Sequence, residues 1–388
     1  MNRAKTQRPH IVLVPWMVAG VQTQFVHLRQ KLQGAGIELS INEVVPWIPG
    51  GLIERLPLPA RTRGTIRSLI SLRGAVIPAD AIWSQVALPL LPHLLATGPS
   101  RRAPVFYAID CTPALLFRLG PHYRAVTADP ASAKGRVTTA AYRAFFRRCA
   151  GLLPWSAWAA RSMIDDYGAE PAKVHVLPPG IDTDRWRPSK ETAPPEKVRL
   201  LFVGADFARK GGPLLLDLYR RFLRDSCDLS LVTREDLGNE PGVTVHRGYA
   251  PDDIGLVRLF QSSDILVIPT LADCFSMAAI EAMACALPVV TTSVGGIPEI
   301  VADGTTGLLV RPGDGEGLLH SIRRLVSDGS ARSRLGRSGR EVVVRRFNSV
   351  VQARRTIELM IDGVPSPDNR RRRDTELAEA ARSGGRSA

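Results

Sequence analysis

Short apolar runs that end at proline or glycine alternate along this chain with longer segments of helical period. The pattern is clearest between residues 265 and 312. There the apolar run Ile265–Ile268 is stopped by Pro269, which is typical of a buried parallel strand. Residues 277–285 are apolar on almost every side and predict a buried helix, and residues 288–292 predict a second strand.

The rest of the chain repeats this alternation. Further strands are predicted at residues 11–14, 37–45, 81–86, 105–109, 152–153, 198–203, 229–232 and 243–246. Further helices are predicted at residues 24–32, 114–119, 140–149, 214–223, 317–326, 334–343 and 347–361, with a short one opening at Pro298-Glu299. Alternating strands and helices indicate an α/β protein with doubly wound parallel sheets. Ligands of such sheets bind at the carboxyl ends of the strands, so the loops there are candidates for chemistry.

Two carboxylates stand eight residues apart in the stretch described first, Asp273 in the loop and Glu281 in the helix. Ser276 is suited to cap that helix, whose free N–H groups favour an anion. Amide donors for phosphate beside carboxylates for hydroxyl groups suit a nucleotide sugar. The other interpretation is a turn aspartate and a glutamate tolerated near a helix start, although a carboxylate in so apolar a segment needs a partner.

The same stretch resembles the donor-site signature of the retaining glycosyltransferases of family 4. That signature reads E-G-F-G-x-x-x-x-E, then A-M-A-x-G-x-P-V-V, G-G-x-P-E and G-x-x-G-x-L-V. The chain matches it at Phe275, Glu281, Ala282-Met283-Ala284, Pro288-Val289-Val290, Gly295-Gly296, Pro298-Glu299 and Gly307-Leu308-Leu309-Val310. It departs from the signature with Asp273 for the first Glu and with Cys274 and Ser276 for the two glycines. These departures put the transferred sugar in doubt more than the type of reaction.

The resemblance implies the GT-B fold, in which two Rossmann-like domains face a deep cleft and a C-terminal helix crosses back to the first domain. The polar, proline-rich segment 182–197 suits a domain boundary. We therefore predict a first domain over residues 1–184 that takes the acceptor and a second over 185–346 that takes the donor. A crossover helix is predicted over 347–363 and a disordered basic tail over 364–388.

The resemblance also assigns site residues outside the signature. Gly204, Arg209 and Lys210 resemble the family's V-G-x…K-G element, in which a basic pair reaches the diphosphate of the donor; by itself such a loop is more often a solvated turn. Gly20 corresponds to the family's glycine-rich loop after the first strand. Asp110 ends a strand that should face the cleft, where the family often places a polar residue near the acceptor. A plain turn aspartate is the alternative for Asp110.

The mechanism that the resemblance implies needs no metal and no cofactor, with a UDP- or GDP-linked sugar as a substrate. The basic pair stabilises the diphosphate as it leaves. Asp273 holds hydroxyl groups of the sugar and Glu281 those of the ribose. The backbone amides from Phe275 through Ser276 to Met277 face the sugar and the phosphates.

Composition limits the setting of this chemistry. Residues 1–190 hold 24 Lys and Arg against 11 Asp and Glu, whereas the remainder is close to neutral. A basic acceptor domain suits an anionic membrane surface, a lipid-linked phosphate or an acidic glycan; an arginine-rich genome is the other explanation. With 6% aromatic residues and no recognition motif, nucleic acid is not an expected partner. Five cysteines with no C-x-x-C pair suggest neither disulfides nor zinc and favour a reducing compartment.

We expect a hexosyltransferase that acts on a glycan, a lipid-linked molecule or a small molecule. It should be cytoplasmic, with peripheral docking at the inner face of the plasma membrane as one option, since no apolar run reaches 18 residues. Two alternatives stay open: an inactive GT-B protein that binds a nucleotide sugar or glycan, which Cys274 and Ser276 allow, and a nucleotide-sugar epimerase. No G-x-G-x-x-G follows a strand, which disfavours a nicotinamide enzyme.

Overall fold

The computed structural model describes residues 9–16, 22–33, 37–44, 51–55, 66, 79–90, 103–124, 127–189, 196–238, 240–250 and 253–362. The predicted site residue Gly20 and the predicted tail over 364–388 lie outside these residues.

The first domain is built on a parallel sheet with helices between its strands. The described strands are β1 (His10–Val14), β2 (Glu38–Ile41), β3 (Ala81–Ser84), β4 (Val105–Ile109) and β5 (Gly151–Pro154), in the order β2-β1-β3-β4-β5. The described helices are α1 (Gln22–Gln33), α2 (Pro113–Arg118), α3 (Pro121–Arg124), α4 (Ala133–Arg148) and α5 (Ala157–Asp165). β3 is buried along its whole length, as expected for a central strand of a sheet covered on both faces.

The second domain is a six-stranded parallel sheet in the order β11-β10-β9-β6-β7-β8. Its strands are β6 (Val198–Val203), β7 (Cys227–Val232), β8 (Val243–His246), β9 (Ile265–Ile268), β10 (Val289–Thr292) and β11 (Gly307–Val310). Its helices are α6 (Gly212–Leu218, continued by a π-helical turn at Tyr219–Leu223), α7 (Ile254–Gln261), α8 (Met277–Ala284), α9 (Gly315–Ser327) and α10 (Gly329–Arg346). The strand order reverses between β6 and β9, so the ligand crevice expected of such a sheet lies at the loops after these two strands.

The last helix, α11 (Ser349–Asp362), returns to the first domain. Its residues Ala353 and Met360 are buried in one core cluster with Phe25 and Leu32 of α1. The prediction of a two-domain α/β architecture with a crossing C-terminal helix is therefore confirmed. The buried helix predicted after β9 is also confirmed, since Ala282 and Met283 of α8 are fully buried.

One segment lies beside the sheet of the first domain without forming a regular strand. Residues 174–177 run beside β5, where the amide of Leu177 donates to the carbonyl oxygen of Pro154 at 2.8 Å, but only Val174 forms a bridge. Proline has no N–H, so Pro154 cannot donate back to the neighbouring segment, and Pro178 ends it on the other side. The missing donors prevent a regular ladder.

Several boundaries differ from the prediction. The strands predicted at 37–45 and 81–86 end at Ile41 and Ser84, and the helix expected at Pro298 is a single 3₁₀ turn, Ile297–Glu299. α4 and α10 begin earlier than predicted because Ser132 and Asp328 cap them. Three of the described helices were not predicted at all: α3, α5 and α7. Two of them are capped by a polar side chain, α5 by Ser156 and α7 by Asp253.

Candidate active site

The loops after β6 and β9 lie against each other at the crevice. The carbonyl oxygen of Arg209 accepts from the amide of Leu271 at 2.9 Å, which joins the two loops. Gly211 has a φ of +78°, and a β-carbon there would come 2.0 Å from the carbonyl oxygen of Pro269. Glycine is therefore required directly after Lys210. A β-carbon at Gly204 would come 2.8 Å from the side chain of Lys210, so this glycine also makes room for the lysine.

The basic pair and the first predicted acid meet at this junction. Lys210 Nζ lies 2.5 Å from Asp273 Oδ2, and Arg209 Nη1 lies 3.9 Å from Asp273 Oδ1. The Asp273 side chain is only 8% exposed, so its negative charge must be balanced by these two cations. Three of the predicted site residues thus form one charge cluster at the carboxyl ends of β6 and β9.

Tyr123 of the first domain is part of the same cluster, and sequence reasoning missed it. Its hydroxyl oxygen accepts from Arg209 Nη1 at 2.9 Å, and the guanidinium carbon of Arg209 lies 5.2 Å from the centre of its ring. Within the second domain, Arg209 also donates to the carbonyl oxygen of Ala272 at 2.8 Å and to Asp206 Oδ2 at 3.1 Å. No motif marks Tyr123 in the sequence, because its partner is 86 residues away.

Asp110 faces the charge cluster from the end of β4, as the sequence predicted for a residue at the cleft. Burial and, less strongly, the negative charge of Asp273 together raise its pKa to about 7. A carboxyl group that titrates near neutrality can carry a proton at the pH of the cell.

Two cysteines lie beside this carboxyl group. Cys111 of the first domain and Cys274 of the second share an apolar cluster with Leu115, and burial raises the pKa of the Cys111 thiol well above its usual range.

The start of α8 is built as predicted. Ser276 caps the helix, with its hydroxyl accepting from the amide of Ala279 at 3.4 Å, so Met277 is the first helical residue. Glu281 follows in the second turn, where it is partly buried. Gly295, with a φ of +58°, lies so close to the loop that a β-carbon would come 2.0 Å from the carbonyl oxygen of Asp273. The glycine turn therefore packs directly behind the acidic loop.

Phe275 marks the contact between the two domains. Its ring meets the edge of Trp155 at 5.7 Å between centroids and that of Phe347 at 6.4 Å. A cavity of about 170 Å³ adjoins these three rings and is also lined by Glu299 and Arg355. This space lies at the junction of both domains and the crossing helix, beside the charge cluster rather than in it.

Glu299 has a role that the sequence did not suggest. Its carboxylate accepts from the amides of Ala157 at 2.7 Å and Trp158 at 2.8 Å, which are the first two N–H groups of α5 in the other domain. Ser156 Oγ accepts from the next amide, that of Ala159, at 3.1 Å. A carboxylate at the positive end of a helix is favourable, so this contact holds the domains together.

Within the described ranges, no group of three or more His, Cys, Asp or Glu side chains is placed to hold a metal ion. None of the described helices combines the length and the apolar character needed to cross a membrane.

The two facing Rossmann-like sheets, the crossing helix and the cleft between them define a protein of the GT-B class. Two family models match the chain, "Glycosyltransferase Family 4" over residues 18–185 and "Glycosyl transferases group 1" over residues 197–328. Together they span most of it, and the chain belongs to the family 4 glycosyltransferases.

Curated relatives match over part of the chain. An MMP alpha-(1->4)-mannosyltransferase of Mycolicibacterium hassiacum is 32% identical over 223 residues, 54% of this chain and 54% of the relative. A D-inositol 3-phosphate glycosyltransferase of Geodermatophilus obscurus is 32% identical over 206 residues, 45% of this chain and 46% of the relative. The chain thus spans about half the length of the curated relatives it matches.

Solved structures share the whole architecture. Sucrose-phosphate synthase from Thermosynechococcus elongatus superposes with a TM-score of 0.73 at 18% identity, covering 92% of this chain and 99% of the other. Anabaena HepE, in complex with UDP and glucose, superposes with a TM-score of 0.65 at 17% identity, covering 90% and 98%. At these identities the likeness concerns the fold.

Proposed function

We propose that this chain is a retaining glycosyltransferase that moves a hexose from a UDP- or GDP-linked donor to a hydroxyl group of an acceptor. The observation that carries the proposal is the charge cluster of Arg209, Lys210 and buried Asp273 at the crevice between β6 and β9. Cations there suit a diphosphate, and a carboxylate beside them suits the hydroxyl groups of a sugar.

In the proposed reaction the bond between the anomeric carbon and the diphosphate oxygen breaks. The acceptor oxygen bonds to the same face of that carbon, and its proton passes to a phosphate oxygen of the leaving nucleoside diphosphate. Negative charge builds up on this leaving group, so cations that hold it more tightly in the transition state lower the barrier. The proposal assigns this charge compensation to Lys210 and Arg209 rather than to a metal ion.

The ion pair between Lys210 and Asp273 indicates how the donor would be accommodated. A donor would divide the pair, with its phosphates bound by Lys210 and its sugar hydroxyls by Asp273. Each buried charge would then exchange one partner for another rather than lose it. Glu281 would hold the ribose, and the free amides from Phe275 to Met277 at the start of α8 would face the phosphates.

The acceptor side of the proposal concerns the first domain. Asp110 faces the cluster from β4, so it would lie near the acceptor hydroxyl. The names of the relatives, a mannosyltransferase and inositol phosphate glycosyltransferases, support transfer to a polar or phosphorylated acceptor, either a glycan, a lipid-linked molecule or a small molecule. The neighbour with UDP and glucose supports a nucleotide-sugar donor.

The test is donor cleavage by the purified full chain. Thermal shifts with UDP-, GDP- and ADP-hexoses would identify the donor. Release of nucleoside diphosphate to water would then show catalysis, and NMR of the first product would show whether the anomeric configuration is kept. Tight binding without cleavage would favour the inactive binding protein, and conversion of the donor sugar without loss of the nucleotide would favour the epimerase.

Lys210→Ala tests the role of the basic pair. We expect turnover to fall roughly 100- to 1,000-fold, the typical loss when one donor to a developing negative charge is removed. The Michaelis constant for the donor should rise much less. Lys197→Ala, at the opposite end of β6, is the matched control and should be neutral. A variant of Lys210 that only weakens donor binding, with turnover intact at saturation, would show uniform binding and refute the leaving-group role.

A further inference from the structure

Arg209 is held by hydrogen bonds on two of its three nitrogens. Nε donates to Asp206, and Nη1 donates both to the carbonyl oxygen of Ala272 and to the hydroxyl oxygen of Tyr123. Among the described residues, Nη2 has no hydrogen-bond partner. The plane of the guanidinium is therefore fixed, while the two hydrogens of Nη2 remain for a ligand.

The contacts of Arg209 differ in whether they require the first domain. Asp206 and Ala272 belong to the same domain as Arg209, so they hold the arginine whatever the position of the first domain. Tyr123 is on α3 of the first domain, and its contact exists only when the two domains are together. Burial raises the pKa of Tyr123 well above its usual range, so the hydroxyl is neutral and can both accept from Arg209 and donate its own proton.

We propose that Tyr123 is a positioning residue that aligns Arg209 for the leaving diphosphate only when the domains close. The inference rests on the proposed function, which it extends from the second domain to the first. Its physical reason is that a planar guanidinium with a third fixed contact loses less freedom when it binds a phosphate. An open enzyme would hold the same arginine less well, and the donor would be cleaved less in the absence of closure.

The first measurement is the kinetics of Tyr123→Phe, which removes one oxygen atom and keeps the ring over Arg209. A hydrogen bond to a charged group contributes about 1.5–3 kcal/mol, so turnover should fall roughly 10- to 100-fold, with the Michaelis constant for the donor nearly unchanged. Tyr123→Ala, which also removes the cation–π contact, should lose more. His122→Ala, the exposed neighbour on the same short helix, is the control and should behave as the parent chain.

The second measurement separates positioning from a structural role. In an Arg209→Ala background, Tyr123→Phe should have no further effect on turnover, because the tyrosine acts through the arginine. Equal losses in both backgrounds would overturn the inference. It would also be overturned if the single variant Arg209→Ala lost turnover and the single variant Tyr123→Phe did not. Both outcomes would leave the proposed function intact.

A parent chain that cleaves no nucleotide sugar would instead count against the proposed function. Calorimetric titration with UDP and GDP then decides the inference without turnover. The double variant Tyr123→Phe with Arg209→Ala should lose less free energy of nucleotide binding than the sum of the losses of the two single variants. Additive effects, or no binding of either nucleotide, would overturn it.

Discussion

At the scale of single residues, Asp110 makes the pH dependence of stability testable. Its pKa is about 7 in the folded chain, against an ordinary value of 3.8. Between these values the folded state keeps a proton that the unfolded state releases. The stability contributed by Asp110 is therefore fully present below pH 4 and is lost as pH rises through about 7, at up to about 1.4 kcal/mol per pH unit.

Asp110→Asn should remove this pH-dependent contribution to the unfolding free energy. We expect a flatter dependence of the unfolding free energy on pH, and a variant more stable than the parent at pH 8. Urea denaturation at pH 5, 6.5 and 8 measures it, with the exposed Asp225→Asn as the matched control. Identical slopes in the parent chain and Asp110→Asn would show that the carboxyl ionises normally.

At the scale of elements, Glu299 connects a 3₁₀ turn of one domain to the first turn of α5 in the other. Glu299→Gln keeps one acceptor oxygen but removes the charge, so we expect a loss of about 1–2 kcal/mol in unfolding free energy. Small-angle scattering should also show a larger radius of gyration, because the contact holds the domains together. Glu316→Gln, an exposed glutamate in the first turn of α9, should change neither quantity. A stability loss without any change in size would mean that the contact does not govern domain separation.

At the scale of the whole molecule, the positive charge of the first domain predicts docking on anionic membranes. The exposed face of α4 carries Lys134, Arg136, Arg143, Arg147 and Arg148. Each cation near an anionic surface contributes about 1 kcal/mol, and salt screens the attraction. Sedimentation with phosphatidylglycerol vesicles should be strong at low salt and fall as salt is raised.

Two charge reversals locate that surface. Arg147→Glu with Arg148→Glu should reduce vesicle binding, whereas the same change at the exposed pair Arg323 and Arg324 of α9, in the second domain, should not. Equal binding to neutral phosphatidylcholine vesicles would argue against electrostatic docking, and equal losses from both pairs would place the contact elsewhere.

The sequence by itself determined the alternation of strands and helices and the place of the charged loops after β6 and β9, whereas the crossing of the last helix was implied by the resemblance to family 4. The elements and their loops follow from local signals: apolar runs stopped by proline, caps such as Ser276, and glycines such as Gly204 that end a strand. The failures were also local in origin, since the caps of α5 and α7 act through hydrogen bonds that apolar periodicity does not display.

Only the tertiary structure decided which residues of the two domains contact each other. Tyr123 meets Arg209 across 86 residues, and Glu299 meets Ala157 across 142. The raised pKa of Asp110 likewise depends on burial and on Asp273 in the other domain. Hydrogen bonds and charges act over a few ångströms, so these contacts exist only once the chain has folded and the domains have met.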